Sequence, residues 1–262
     1  MRSFSGPELP ACPPQSRCGW RGGASQSPNR RPNRASAARA AAIREMRGRT
    51  QQGRTILHVD IERAYGAAIP TARLATRTLL QQSLFGALGD VELVLSATAV
   101  DAQATTSGVT KTFADGTRRS SDLLVVADGI WSRIAERTLG TTARHCGYGG
   151  VIALSDAAPG ARRLGETCEY WGRGERFALL DLGGERAYWF LMLDEAEASA
   201  SAALTLGDVV ARLAEWPREV RLAVEATPAD RLIPFSIHAK PPPTRLGHGR
   251  IVCVAMRRMR WS

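Results

Sequence analysis

Nothing in these 262 residues has the length of a membrane span, because no apolar run approaches the ~20 residues that a bilayer crossing requires. A soluble chain is expected. Metal chemistry has little to stand on either. The five cysteines (Cys12, Cys18, Cys146, Cys168 and Cys253) include no Cys-x-x-Cys pair, and His58, His145, His238 and His248 fall at no ligand spacing. In a chain this long the cysteines read as free thiols rather than a disulfide framework, which makes a reducing, cytoplasmic compartment the expectation. The body of the sequence also lacks the basic excess that a net charge of +10 would imply. Met1–Arg54 holds 11 arginines and no lysine against 2 glutamates, a balance of +9, while Ala255–Ser262 holds 3 arginines and no acid. Thr55–Val254 carries 21 bases against 23 acids, or −2. The charge therefore belongs to the two ends, and a nucleic-acid or anionic-membrane surface cannot be read into the whole.

What is present is organised around Ser120–Arg133, Ser-Ser-Asp-Leu-Leu-Val-Val-Ala-Asp-Gly-Ile-Trp-Ser-Arg. The apolar run Leu123–Ala127 has the length of a buried strand and ends on Asp128-Gly129. Spacing alone leaves two readings open. One is a strand followed by an ordinary Asp-Gly turn. The other is a strand that delivers a carboxylate to its carboxyl end, where open α/β sheets bind ligands, with Gly129 permitting close approach of a backbone or phosphate.

Before it, Thr55–Ile61 reads as a strand and Ile69–Leu88 as an amphipathic helix with Leu79, Leu80, Leu84 and Leu88 in register; Arg77 lies one turn before Leu80. Val91–Ala102, containing Val100, and Val109–Phe113 read as strands, with Asp115-Gly116 as a hairpin turn. After Arg144 come four expected strands, Gly147–Leu154, Thr167–Trp171, Phe177–Leu182 and Arg186–Leu193, the last two joined at Gly183-Gly184. Leu204–Trp216 and Arg218–Ala226 read as helices around Pro217, followed by a strand at Leu232–Ile237, an extended Pro241-Pro242-Pro243 and a last strand ending at Val254.

The Asp-Gly stretch resembles the fingerprint of the FAD-dependent aromatic-ring monooxygenases, the class A flavoproteins typified by p-hydroxybenzoate and salicylate hydroxylases. Arg77-x-x-Leu80 resembles the same family's helix start, and Arg245–Val254 resembles its return strand. The resemblance covers about Thr55–Val254. It implies an α/β fold in which a Rossmann-like FAD-binding portion, incomplete here, is interrupted by an antiparallel β-sheet substrate domain. Expected boundaries are 55–145 for part of the FAD domain, 146–240 for the substrate domain and 241–262 for the return strand and tail, after a basic segment at 1–54. It further implies that Arg77, Val100, Asp128 and Gly129 line the FAD site, with NADH or NADPH as co-substrate. Tyr170, Trp171, Phe177, Tyr188 and Trp189 are candidate walls for a flat aromatic or apolar substrate, about half of them being core by alternation. One departure stands out: where the family has an arginine three residues after the fingerprint serine, this chain has Ala135, with an arginine displaced to Arg133.

The ends fit no such pattern. Met1 to about Thr50 is rich in Pro, Ser, Arg and Ala, with one helical-looking piece at Ala35–Met46. Three readings stand: a nucleic-acid-binding tail, a transit peptide, or translation in the wrong frame. The third is supported by back-translation. Codons for Ser3–Gly22 exist whose neighbouring frame reads Ile-Val-Leu-Gly-Ala-Gly-Ile-Ala-Gly-Leu-Ser-Ala-Ala-Ile-Ala-Leu-Arg-Leu-Ala-Gly, a strand, a Gly-x-Gly-x-x-Gly turn and a helix. At the other end, deleting one base from codons for Val-Gly-Asp-Ala-Ala-His-Ala-Val-Val yields Val254 followed by Ala-Met-Arg-Arg-Met-Arg-Trp-Ser, the observed tail. The expectation is a degraded or inactive monooxygenase. The alternatives are a non-catalytic flavin or small-molecule binding module, and nucleic-acid binding through the arginine-rich end.

Overall fold

The computed structural model describes residues 40–66, 72–156, 160–161, 163–184, 186–194 and 204–254. Its largest sheet has seven strands, in the order β13 (Ile233–Ala239), β9 (Arg144–Asp156), β12 (Arg186–Asp194), β11 (Glu175–Gly183), β10 (Glu166–Trp171), β2 (Glu45–Thr50) and β3 (Thr55–Asp60). Neighbours run antiparallel except β2 and β10, which are parallel. Alternation along β12 puts Ala187, Trp189, Leu191 and Leu193 on one face, and all four are buried. Register extends this face in rows, Tyr170–Phe177–Leu191–Val151 and Cys168–Leu179–Trp189–Ala153.

Two helices, α4 (Leu206–Arg212) and α5 (Arg218–Glu225), cover that face with Val209, Val220, Ala223 and Val224, helped by Leu213 and Trp216 just after α4. Phe177 and Trp189 stack at 5.6 Å, and the indole N–H of Trp189 donates to Thr227 at 2.8 Å, so the buried ring leaves no polar atom unsatisfied.

Gly150 lies in β9 opposite both Met192 and Phe235. A Cβ there would run into the carbonyl of Leu191, which is backbone and cannot swing aside. Gly150→Ala is therefore expected to destabilise the sheet by about 2–3 kcal/mol, as overpacking does; urea unfolding would measure it, with Gly207→Ala, whose Cβ would make only an ordinary contact with the Thr205 hydroxyl, as the comparison.

A second, smaller core joins the parallel pair β8 (Leu124–Val126) and β15 (Ile251–Cys253) to α3 (Arg133–Leu139) through Val126, Ile134, Ala135, Ile251 and Cys253. The hairpin partner of β15 is β14 (Gly247–His248). Val109 enters this core from the three-stranded meander β5 (Ala99–Ala104), β6 (Val109–Phe113), β7 (Arg118–Ser121). Gly116, at φ +83°, makes the expected turn between β6 and β7.

Several expectations need correction. The stretch Ala35–Met46 was expected to be helical, yet β1 (Ala41–Ile43) and β2 occupy residues 41–50, β1 pairing with β4 (Ala72–Leu74). Tertiary pairing with β4 and β10 overrides the helix propensity of the alanine run. β2, on the near side of the expected boundary at 54, belongs to the large sheet. So does β3, expected in the FAD portion; the sheet is assembled from 45–60 as well as 144–239 and contains one parallel pair. The helix expected at Ile69–Leu88 is α2 (Arg77–Phe85), started by the Thr76 hydroxyl accepting from the Leu79 N–H. Its Leu80 and Leu84 are exposed. Residues 91–98 form no strand, and β5 begins at Ala99. A short helix α1 (Ile61–Tyr65) follows β3.

Candidate functional site

The site begins at the carboxyl ends of β8 and β15. Their parallel pairing is continued by the Val254 N–H donating to the Val126 carbonyl at 2.9 Å. Asp128 and Gly129 follow directly. The Asp128 carboxylate is exposed and accepts from the Ser132 hydroxyl at 3.0 Å, and Ser132 in turn caps α3 by accepting from the Ala135 N–H at 3.1 Å. Gly129 holds φ +78° with nothing within 4 Å of where its Cβ would lie. The fingerprint thus folds into a strand end, a left-handed glycine and a capped helix. Ala135 is 1% exposed, so the position that carries arginine in the family is core here, while Arg133 is exposed.

The strand itself departs from expectation. Leu123 and Val125 are 57% and 53% exposed, and only Val126 is buried. Parallel pairs are ordinarily covered on both faces; here α3 covers one.

The other expected cofactor residues stand apart. Arg77 sits exposed at the first position of α2, and its side chain makes no hydrogen bond or ion pair among the described residues. Val100 lies in β5 at a register irregularity between Ala99 and Asp101, which leaves its backbone outside the ladder with β6. No described interaction joins either to Asp128. The shifted-frame glycine turn at Ser3–Gly22 and the Gly-Asp segment at 255–262 lie outside the described residues.

Sequence reasoning missed Lys240, just beyond β13. Its ammonium nitrogen is buried without a partner among the described residues. The signal was weak: one of only two lysines in the chain, before three prolines. An orphaned cation, an exposed carboxylate and an open glycine together fit a polar, anionic group such as the FAD expected here. The residues that would hold it are Asp128, Gly129 and Lys240. Cys253 beside them keeps its proton: burial pushes the thiol up, Asp128 adds to this and Lys240 opposes it.

The large sheet's other face is a separate candidate surface. Register sets three rows across it: Trp171, Arg176 and Met192; Glu169, Ala178, Phe190 and Ile152; Thr167, Leu180, Tyr188 and Leu154. Of the expected aromatic walls, Trp171 and Tyr188 are on this face. Tyr170, Phe177 and Trp189 are core on the helix side. Phe190, also missed, lies 6.4 Å from Tyr188, and the guanidinium of Arg176 sits 5.6 Å over its ring. Glu169 accepts from Arg176 at 2.8 Å and from the Trp171 indole at 3.1 Å. Burial pushes the Tyr188 phenol above its ordinary value, keeping it a neutral hydrogen-bond donor. The face is flat, aromatic and charge-balanced.

A cavity of about 90 Å³ lies instead behind the sheet, lined by Arg49, Arg163, Glu166, Cys168, Tyr170 and Glu219. Arg49 there bonds Glu219 at 2.7 Å, and Arg47 lies 2.9 Å from Glu166. Two of the arginines assigned to a basic arm are thus engaged in ion pairs of the fold.

No protein-family profile matches the chain. Curated relatives do. The chain is 28% identical over 217 residues to the aurachin C monooxygenase/isomerase of Stigmatella aurantiaca, covering 81% of this chain and 56% of that protein. It is 26% identical over 190 residues to the chloroplastic zeaxanthin epoxidase of Arabidopsis thaliana, covering 72% of this chain and 28% of that one. It therefore spans about half, or less, of the relatives it matches. Among solved structures, Klebsiella pneumoniae HpxO complexed with FAD and uric acid superposes with a TM-score of 0.73 at 20% identity, over 85% of this chain and 58% of that one. No helix is long and apolar enough to cross a membrane among the described residues. Fingerprint, fold and relatives point the same way: the chain is similar to FAD-dependent monooxygenases and shares the fold of one solved with FAD.

Proposed function

We propose that the chain is the cofactor-and-substrate body of an FAD-dependent monooxygenase, using NADH or NADPH and oxygen to hydroxylate or epoxidise a flat aromatic or otherwise apolar small molecule in the cytoplasm. FAD, when bound, supplies the redox and oxygen chemistry. The protein's part is holding and orienting. Asp128 offers acceptor oxygens to a hydroxyl-bearing ligand at the strand end, and Gly129 lets it come close. Trp171, Tyr188 and Phe190 supply ring faces for a flat substrate. The Tyr188 phenol donates a hydrogen bond, and the Arg176–Glu169 pair gives a polar edge without net charge. In this reading both ends of the chain are decoded off-register, so that the protein as translated is a degraded remnant.

The observation that carries the proposal is the open aromatic face of a sheet whose opposite face is sealed by helices. It is tested by titrating flat aromatics such as naphthol and quinolone and following quenching of tryptophan fluorescence, Trp171 being the exposed indole on this face and Trp171→Phe separating its signal from that of the exposed Trp131. Phe190→Ala is expected to weaken binding about tenfold, the worth of ~1.4 kcal/mol of ring stacking. Equal quenching in the variant, or no binding of any flat apolar probe, would overturn it.

A further inference from the structure

We propose that Lys240 is the phosphate-holding residue of the nucleotide site at the carboxyl end of the β8–β15 pair, a role that rests on reading this end as the cofactor site. The topology brings it there. β9, which follows α3, and β13, which leads to β14, both connect the large sheet to the smaller core, and they pair as far as Ala239 and Arg144. Next to this crossing the ring of His238 meets Trp131 at 4.8 Å, so the Asp-Gly-Ile-Trp loop packs against the end of β13. Lys240 follows at once, and the thiol of Cys253, last residue of β15, senses both Lys240 and Asp128.

Every nearby group declines to neutralise it. Asp128 turns its carboxylate to the Ser132 hydroxyl, Cys253 stays protonated, and the ammonium nitrogen is buried with neither a hydrogen bond nor an ion pair among the described residues. Burying a cation unpaired is costly, and the cost is relieved when a ligand brings the anion. Lysine meets phosphate as a compact point charge, and the open, positive-φ Gly129 leaves room for such a group beside the backbone.

The chain has only Lys111 and Lys240, so selective ¹³Cε-lysine labelling gives two NMR signals assignable by Lys111→Arg. Inorganic pyrophosphate, ADP, FAD and NADPH are titrated in turn at millimolar concentration. The expected result is that the Lys240 signal moves with the phosphate-bearing probes while Lys111 stays still, riboflavin moves neither, and Lys240→Met, its circular dichroism unchanged, weakens ADP roughly tenfold. FAD that changes its absorbance on binding without moving Lys240 would sink this proposal and leave the flavin reading standing. Movement with pyrophosphate alone would overturn the nucleotide assignment, and no movement with any probe would overturn the anion site itself.

Discussion

Purified as translated, the chain is expected to carry no stoichiometric FAD, and a re-registered version to bind it at least a hundredfold more tightly. The re-registered chain replaces Ser3–Gly22 by the neighbouring-frame sequence Ile-Val-Leu-Gly-Ala-Gly-Ile-Ala-Gly and its continuation, and ends Val254-Gly-Asp-Ala-Ala-His. The physical ground is the pyrophosphate. A Gly-x-Gly-x-x-Gly turn presents backbone N–H groups and a helix N-terminus to it, and residues 1–54 as translated contain no such turn. Two or three charge-assisted hydrogen bonds at ~1.5–3 kcal/mol each amount to about 3–9 kcal/mol, or roughly 10²- to 10⁶-fold in affinity. Lys240, Asp128 and Gly129 alone would leave binding in the millimolar range. Exposed apolar surface gives a second readout. Leu123 and Val125 on β8 and Leu80 and Leu84 on α2 face outward, although parallel sheets are usually covered on both faces. If a strand–turn–helix unit belongs there, the re-registered chain should bind less of a hydrophobic dye. Flavin titration of both chains decides the matter: stoichiometric FAD on the translated chain, or equal affinities, would defeat the off-register reading.

The legible parts of this fold were those in which local pattern and tertiary role agree. Alternation along Arg186–Asp194 and the Gly183-Gly184 turn placed a hairpin that the structure contains. The Asp-Gly fingerprint was readable because strand end, glycine with positive φ and serine cap are all set by neighbours in sequence. Where partners come from afar, the reading failed. The alanines before β2 favour a helix in isolation, and nothing local says that Glu45–Thr50 will run parallel to β10 more than a hundred residues later. The leucines of α2 show helical spacing yet bury nothing, since periodicity describes a face and not whether anything covers it. Lys240 was silent for a related reason: that its buried ammonium nitrogen lacks a hydrogen-bond partner among the described residues shows only in three dimensions.

Arg49→Met is expected to lower the stability of the large sheet by about 3 kcal/mol, at the low end of what breaking a buried ion pair costs. Arg49 is 9% exposed and sits in β2 opposite Tyr170. Its guanidinium donates to Glu219 at 2.7 Å and reaches toward Tyr170 and Glu166, while the Tyr170 hydroxyl donates to the same Glu219 oxygen at 2.9 Å. Burial raises the Tyr170 phenol far above its ordinary range, so it stays a neutral hydrogen-bond donor to Glu219 and brings no charge. Removing the guanidinium therefore strands Glu219 against a neutral phenol. Glu166 fares better, because Arg47 stays 2.9 Å away, and that keeps the loss from being larger. Arg54→Met, at an exposed residue just past β2, is expected to change stability by less than about 0.5 kcal/mol. Urea unfolding followed by tryptophan fluorescence measures both, and near-equal midpoints would mean that β2 is not held to the sheet as described. A free basic arm would tolerate loss of any one arginine, whereas Arg49 is built into the sheet through Glu219 and Tyr170.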